Sequence, residues 1–243
     1  MDITKFAILK KLAGGGGGGG DHADEDAIVS GTITDYTNDR VTSIRAHAFR
    51  GCTSLTSADF PAVTSIGDNA FNDCTSLTSV NFPAATSIGF FVFTSCRALT
   101  SINFPAATSM KDSAFKNCIK LPSANFPAMT SIGNYAFESC FALTSADLSA
   151  ATSIGISAFG SCSKLTSLIL RVTTQVCTLS NTSAFNSTPI KSGTGYIYVP
   201  AALIDSYKTA TNWTTYANQF RALESYTVDG TTTGELDPTK VNA

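Results

Sequence analysis

Phenylalanine returns every 22 residues, at Phe49, Phe71, Phe93, Phe115, Phe137 and Phe159. Cysteine keeps the same step at Cys52, Cys74, Cys96, Cys118, Cys140 and Cys162, and leucine at Leu55, Leu77, Leu99, Leu121, Leu143 and Leu165. A fourth column runs Ile44, Ile66, Ile88, Met110, Ile132 and Ile154. Six copies lie between Val41 and Val172 without insertion or deletion. A unit this short cannot bury its own apolar side chains, so neighbours must stack and share one continuous core. The period therefore predicts an α/β solenoid of short strands, closed by caps at both ends.

The copy VTSIGDNAFNDCTSLTSVNFPA, residues 63–84, shows how one coil is built. Alternation at Leu77, Val80 and Phe82 predicts a half-buried strand. Pro83 ends it, because proline has no N–H to give a ladder. Thr86-Ser87-Ile88-Gly89 predicts a second short strand and a turn. Asp68 to Cys74 is long enough for one helical turn, which only packing would hold. Coils stacked at about 4.8 Å make a slab roughly 29 Å long. Pro122 stands where the other copies carry threonine, which removes a ladder donor and predicts a local irregularity.

The flanks divide further. Residues 1–13 place Ile3, Phe6, Leu9 and Leu12 along one side of a short helix, too short to be stable without a docking site. Residues 14–27 form a linker of seven glycines followed by the acidic run Asp21-His22-Ala23-Asp24-Glu25-Asp26. Residues 28–40 alternate weakly and are expected to cap the first coil, since an open stack exposes unpaired strand edges. Residues 173–226 hold a degraded seventh unit, marked by Ser183-Ala184-Phe185, and a cap. In that cap Leu203, Tyr207, Trp213, Tyr216, Phe220 and Leu223 supply a helical apolar face. Residues 227–243 form a loosely ordered tail.

Composition excludes several functions. A net charge of −2 gives no electrostatic basis for nucleic-acid binding. No run of 18 apolar residues exists, so no membrane span is expected, and the N-terminal apolar run is too short for a signal peptide. Of seven cysteines, six follow the repeat and none forms a C-x-x-C pair. They are therefore expected to pack as small hydrophobes in a reducing compartment, not to bind metal. Only His22 and His47 are available as imidazoles, and neither has a nucleophile and carboxylate at recognisable spacing. The glycine run lacks the G-K-[ST] of a phosphate loop. No catalytic residue, metal or cofactor is expected.

The units I-G-x-x-A-F-x-x-C-x-x-L-x-S-x-x-F-P resemble the BspA-like branch of the leucine-rich repeats. Tyr196-Ile197-Tyr198-Val199-Pro200, continuing through Trp213 to Leu223, resembles that family's terminal cap. The resemblance spans about residues 41–226 and implies a right-handed leucine-rich-repeat coil that serves adhesion or protein binding and has no enzymatic activity. The start Lys10-Lys11-Leu12-Ala13 followed by polyglycine resembles structural or tail-associated proteins of gut phages. That likeness implies a virion component tethered by residues 1–13, with a bacterial surface or intracellular scaffold as the alternative.

Comparing the copies with one another separates core from surface. Positions that vary, and so are released from packing, include Arg45-Ala46-His47, Asp68-Asn69, Phe90-Phe91, Lys111-Asp112-Ser113, Asn134-Tyr135 and Ile156-Ser157. Phe90, Phe91, Arg97, Ile119, Tyr135, Phe141 and Ile156 form a candidate variable face for a protein or glycan partner. Some of these side chains can equally fill local gaps. Ser79, Asn81, Ser101, Asn103, Ser123 and Asn125 form a candidate strand face. Its amides can instead bond to one another along the stack.

Overall fold

The computed structural model describes residues 35–37, 39–223, 225–228 and 231–235. The expected anchor (Ile3, Phe6, Leu9, Leu12), the linker, residues 28–34 of the expected cap and the last eight residues lie outside the described residues.

Each coil has three walls, and each wall is a ladder to the next coil. The first wall carries the strands Asp35–Thr37, Ser57–Asp59, Ser79–Asn81 and Ser101–Asn103, then Ser123–Asn125, Ser145–Asp147 and Ser167–Ile169, parallel wherever they pair. The second is a seven-stranded parallel sheet from Ser43–Ile44 to Thr178–Leu179. The third is an arc of turns, residues 45–55 in the first coil. No helix forms there, so the helical turn expected at Asp68–Cys74 is replaced by consecutive turns. Within the six repeats the structure is strand and turn, and among the described residues helices occur only in the C-terminal part.

Threonine columns lock two walls. Thr78 donates both its N–H and its Oγ1–H to the Thr56 carbonyl, at 2.8 and 2.9 Å, and Thr64 treats Thr42 the same way. The interior is a stack of rings. Phe49, Phe71, Phe93, Phe115, Phe137, Phe159 and Phe185 lie nearly parallel at 4.9–5.6 Å. A second stack, Phe60, Phe82, Phe104 and Phe126, meets the first at tilted or edge-on angles, the arrangement aromatic quadrupoles favour.

Pro122 breaks the first wall as expected. No pairing joins Ser101–Asn103 to Ser123–Asn125, and the wall separates into a four-stranded and a five-stranded sheet at that junction. Proline supplies neither the N–H nor the hydroxyl that threonine gives elsewhere. The Phe104 N–H also lacks the inter-coil bond that Phe60, Phe82, Phe126 and Leu148 make. Ring spacing widens from 5.3 Å between Phe82 and Phe104 to 6.0 Å between Phe104 and Phe126. The other two walls continue across the junction, through Ser109–Met110 with Ser131–Ile132 and through the Ser113 N–H to the Asn134 carbonyl. The opening is one-sided.

The C-terminal end is more than the helical cap expected from the sequence. Tyr196–Pro200 and Phe220–Leu223 extend the first wall as parallel strands, with short helical segments between them. Those segments finish the second wall with side chains. The Cys177 N–H donates to Tyr207 Oη at 2.9 Å, Trp213 Nε1 donates to the Cys177 carbonyl, and Asn212 Nδ2 donates to the Leu179 carbonyl. Edge groups that would otherwise pair with another chain are thereby satisfied. Beyond the cap, Ser225–Val228 pairs antiparallel with Thr231–Glu235. The loosely ordered tail expected from residue 227 onward thus includes paired strands.

Candidate binding surface

The arc is where backbone geometry and surface chemistry meet. Its coils are joined by N–H groups pointing along the stack: in the first coil His47, Phe49 and Gly51 donate to the carbonyls of Asp68, Ala70 and Asn72. Turning alternate N–H groups that way places two columns in the left-handed region. One is His47, Asn69, Phe91, Ser113, Tyr135 and Ser157, with φ between 48 and 62°. The other is Gly51, Asp73, Ser95, Asn117, Ser139 and Ser161, with φ between 60 and 71°. For an L-residue this conformation crowds Cβ against the backbone at a cost of roughly 1–2 kcal/mol, least for Gly, Asn and Asp.

The second column carries only small or short polar residues: Gly51, Asp73, Asn117 and three serines. The first does not: Phe91 and Tyr135 hold bulky rings at φ 57°, and both rings are exposed, at 41 and 40 %. Backbone strain of this kind clusters at functional sites, though it also occurs where surrounding packing imposes it.

The neighbouring column shows a second compromise. Asp68 Oδ1 accepts the N–H of Phe90, Asp112 Oδ1 that of Asn134, and Asn134 Oδ1 that of Ile156, each at 2.8–2.9 Å. Phe90 has no acceptor and leaves the Asp112 N–H without this bond. The rings of Phe90 and Phe91 lie 6.5 Å apart on the same corner.

Most of the expected variable face is on the surface. Phe90, Phe91, Tyr135, Phe141 and Ile156 are exposed, as is Arg97, while Ile119 is half-buried. Phe90, Phe91, Tyr135 and Ile156 occupy the entry corner of the arc, and Arg97, Ile119 and Phe141 share a column near its exit. Three other variable positions are not free. Ser113 is buried, in the column between Phe91 and Tyr135, and Asp112 and Asn134 hold the next coil. Variation among copies reported release from a common side chain, not from structure.

The strand face is partly committed to itself. Asn81 Nδ2 donates to Asp59 Oδ1 at 2.7 Å, and Asn103 Nδ2 to Asn81 Oδ1 at 2.6 Å. The chain of amides stops at the Pro122 opening, where Ser101, Asn103, Ser123 and Asn125 are exposed while Ser79 and Asn81 are half-buried.

A family model of the BspA type leucine rich repeat region matches six copies over residues 32–128 and 86–200. The chain belongs to this family. A leucine-rich repeat protein from Bacteroides ovatus is similar at 25 % identity and a TM-score of 0.53, over 68 % of this chain and 47 % of that one. A leucine rich cell surface protein from Faecalibacterium prausnitzii gives 27 % identity and a TM-score of 0.44, over 57 and 49 %. The T. pallidum leucine rich repeat protein gives 28 % and 0.39, over 54 and 52 %. The chain thus spans about half the length of these solved relatives. No curated protein matches it.

The BspA-type cysteine column does more than fill space. Cys74, Cys96, Cys118, Cys140 and Cys162 each donate a thiol hydrogen bond, at 3.0–3.2 Å, to the phenylalanine carbonyl of the preceding coil. All seven cysteines are free and buried. Burial pushes the Cys96, Cys118 and Cys140 thiols far up and Cys177 up to about 12. Nucleophilic or metal-ligating thiolates need the opposite shift. Among the described residues, no group of three His, Cys, Asp or Glu is placed to hold a metal ion, and no helix is long and apolar enough to cross a membrane.

Proposed function

We propose that this BspA-type solenoid is a non-catalytic binding or adhesion protein that meets a protein or glycan partner with the arc of its third to sixth coils. The observation that carries the reading is the pair Phe91 and Tyr135, exposed rings on left-handed backbone. A coil needs only a small polar residue there, as Asn69 and Ser157 demonstrate. The strand-face amides of Asn81 and Asn103 bond within the stack, which favours the arc over that face.

The finer reading is a virion-associated host-interaction protein, held to a particle by residues 1–13 and reaching outward on the linker. Its support is sequence alone: the one-sided apolar pattern of Ile3, Phe6, Leu9 and Leu12, and the glycine run behind it. The alternative is a bacterial surface or intracellular scaffold.

Two experiments test these statements. Full-length chain and a variant with Phe90, Phe91, Tyr135 and Phe141 replaced by serine are compared for binding to bacterial envelope protein and glycan preparations. The variant is expected to lose at least tenfold in affinity, the loss of one or two hot-spot side chains. Unchanged binding, or loss only with Asn103→Ala and Asn125→Ala, would move the site to the strand face. Mass spectrometry of purified particles, with and without residues 1–20, tests the anchor. Retention after the deletion removes that reading.

A further inference from the structure

The partner's chemistry follows from which charges on coils three to five are already spent. We infer that this part of the arc takes a short acidic polypeptide segment carrying an apolar or aromatic anchor, an inference that rests on the arc being the binding surface. Three carboxylates lie in residues 85–150, and all are engaged within the chain. Asp112 accepts from Asn134 N–H and Nδ2, Glu138 pairs with Lys116 at 2.6 Å, and Asp147 accepts from Ser149 and Arg171. Of the four cations there, Lys116 is the one paired with a carboxylate. Arg97, Lys111 and Lys120 are exposed and have no carboxylate within ion-pair distance among the described residues.

One of these cations lies over a ring. Lys111 Nζ sits 5.9 Å from the Phe90 centroid, and Arg97 and Lys120 flank the half-buried Ile119 in sequence register with Phe141. The whole chain is acidic at −2, so this positive excess is local. An exposed apolar corner with an unpaired cation over one of its rings, and two more cations on the same coils, attracts a segment with carboxylates around a large apolar side chain, and the charges steer its approach.

A neutral sugar fits less well. Phe90 and Phe91 have no polar tip, and the acceptors beside them, Asp68, Asp112 and Asn134, already hold backbone N–H groups. From Phe90 to Tyr135 the patch spans two coil spacings, roughly 10 Å, the length of about three extended residues.

The test is selection of a displayed random-peptide library, each peptide about 12 residues and so longer than the patch, on the full-length chain. Enriched peptides are expected to be net acidic with at least one aromatic or large aliphatic residue. Their affinity should fall at least tenfold, about 1.4 kcal/mol, in Lys111→Glu/Lys120→Glu, and also in Phe90→Asp/Phe91→Asn. A neutral or basic consensus, or indifference to Lys111→Glu/Lys120→Glu, overturns the acidic partner while leaving the arc as the surface. Indifference to Phe90→Asp/Phe91→Asn overturns both. Failure to enrich any peptide, with heparin binding lost in the same variants, replaces the polypeptide with an anionic polysaccharide. Failure with both probes ends the inference.

Discussion

Two columns of the arc share one backbone conformation and differ in what is hung on it. Both hold φ near +60° so that their N–H groups can bridge to the next coil. In the column of Gly51, Asp73, Ser95, Asn117, Ser139 and Ser161, every side chain is small or polar, as the conformation favours. In the column of His47, Asn69, Phe91, Ser113, Tyr135 and Ser157, two positions carry large exposed rings. The backbone demand is the same in both, so it does not call for the rings, although the Lys116 ammonium of the preceding coil lies 5.6 Å from the Tyr135 centroid. That difference is the basis for proposing that these rings serve binding and not the stack.

Substitutions in either column separate the backbone's demand from the side chain's. Asn117→Val places a β-branched residue in the compliant column, where it cannot sit without crowding the backbone; a loss of about 2 kcal/mol in urea unfolding is expected. No loss would mean the geometry is not demanding, and the case for strain at Phe91 would lapse. Pro122→Thr restores one N–H and one hydroxyl donor to the first wall. It should stabilise by about 1 kcal/mol and slow hydrogen exchange at the Phe104 amide. Unchanged exchange would show the opening has another cause. Asp112→Ala removes the acceptor for Asn134 and should cost about 1 kcal/mol. Asp112→Asn keeps the acceptor and removes only the charge, so it should cost little; a loss equal to that of Asp112→Ala would assign the effect to the charge and not to the hydrogen bond.

The thiols give the smallest effect near neutrality. Burial favours the neutral form of Cys96, Cys118, Cys140 and Cys177, so their contribution to stability should be flat below the ordinary thiol value of 9.0. It should fall as pH climbs from there toward the folded value, about 12 for Cys177. Native chain at pH 8 should leave all seven thiols unreactive to an aromatic disulfide until urea unfolds it. Rapid labelling of any repeat cysteine in the folded chain would contradict the stacked core.

Much of this was legible in the sequence because a solenoid writes its core as columns. The phenylalanine, cysteine, leucine and isoleucine columns are buried where the period placed them, and Pro122 announced the break in the first wall. Backbone sign was harder to see. A column of Gly, Asp, Ser, Asn, Ser and Ser does hint at left-handed residues, but the column containing Phe91 and Tyr135 hides the same conformation behind atypical side chains. The roles of Asp68, Asp112 and Asn134 were also hidden. Their acceptors reach the next coil's backbone, a contact that a copy-by-copy comparison records only as variation. Thiol bonds to the preceding coil's carbonyls leave no mark beyond the cysteine column itself.

Equilibrium urea unfolding of the double variant Phe91→Asn/Tyr135→Asn tests the central claim most directly. If the rings are held against the preference of the backbone, the variant is more stable than the parent, by about 1 kcal/mol, because asparagine tolerates the left-handed region. A variant of equal or lower stability would show that the rings help to hold the coils together, and their exposure would then carry no functional message.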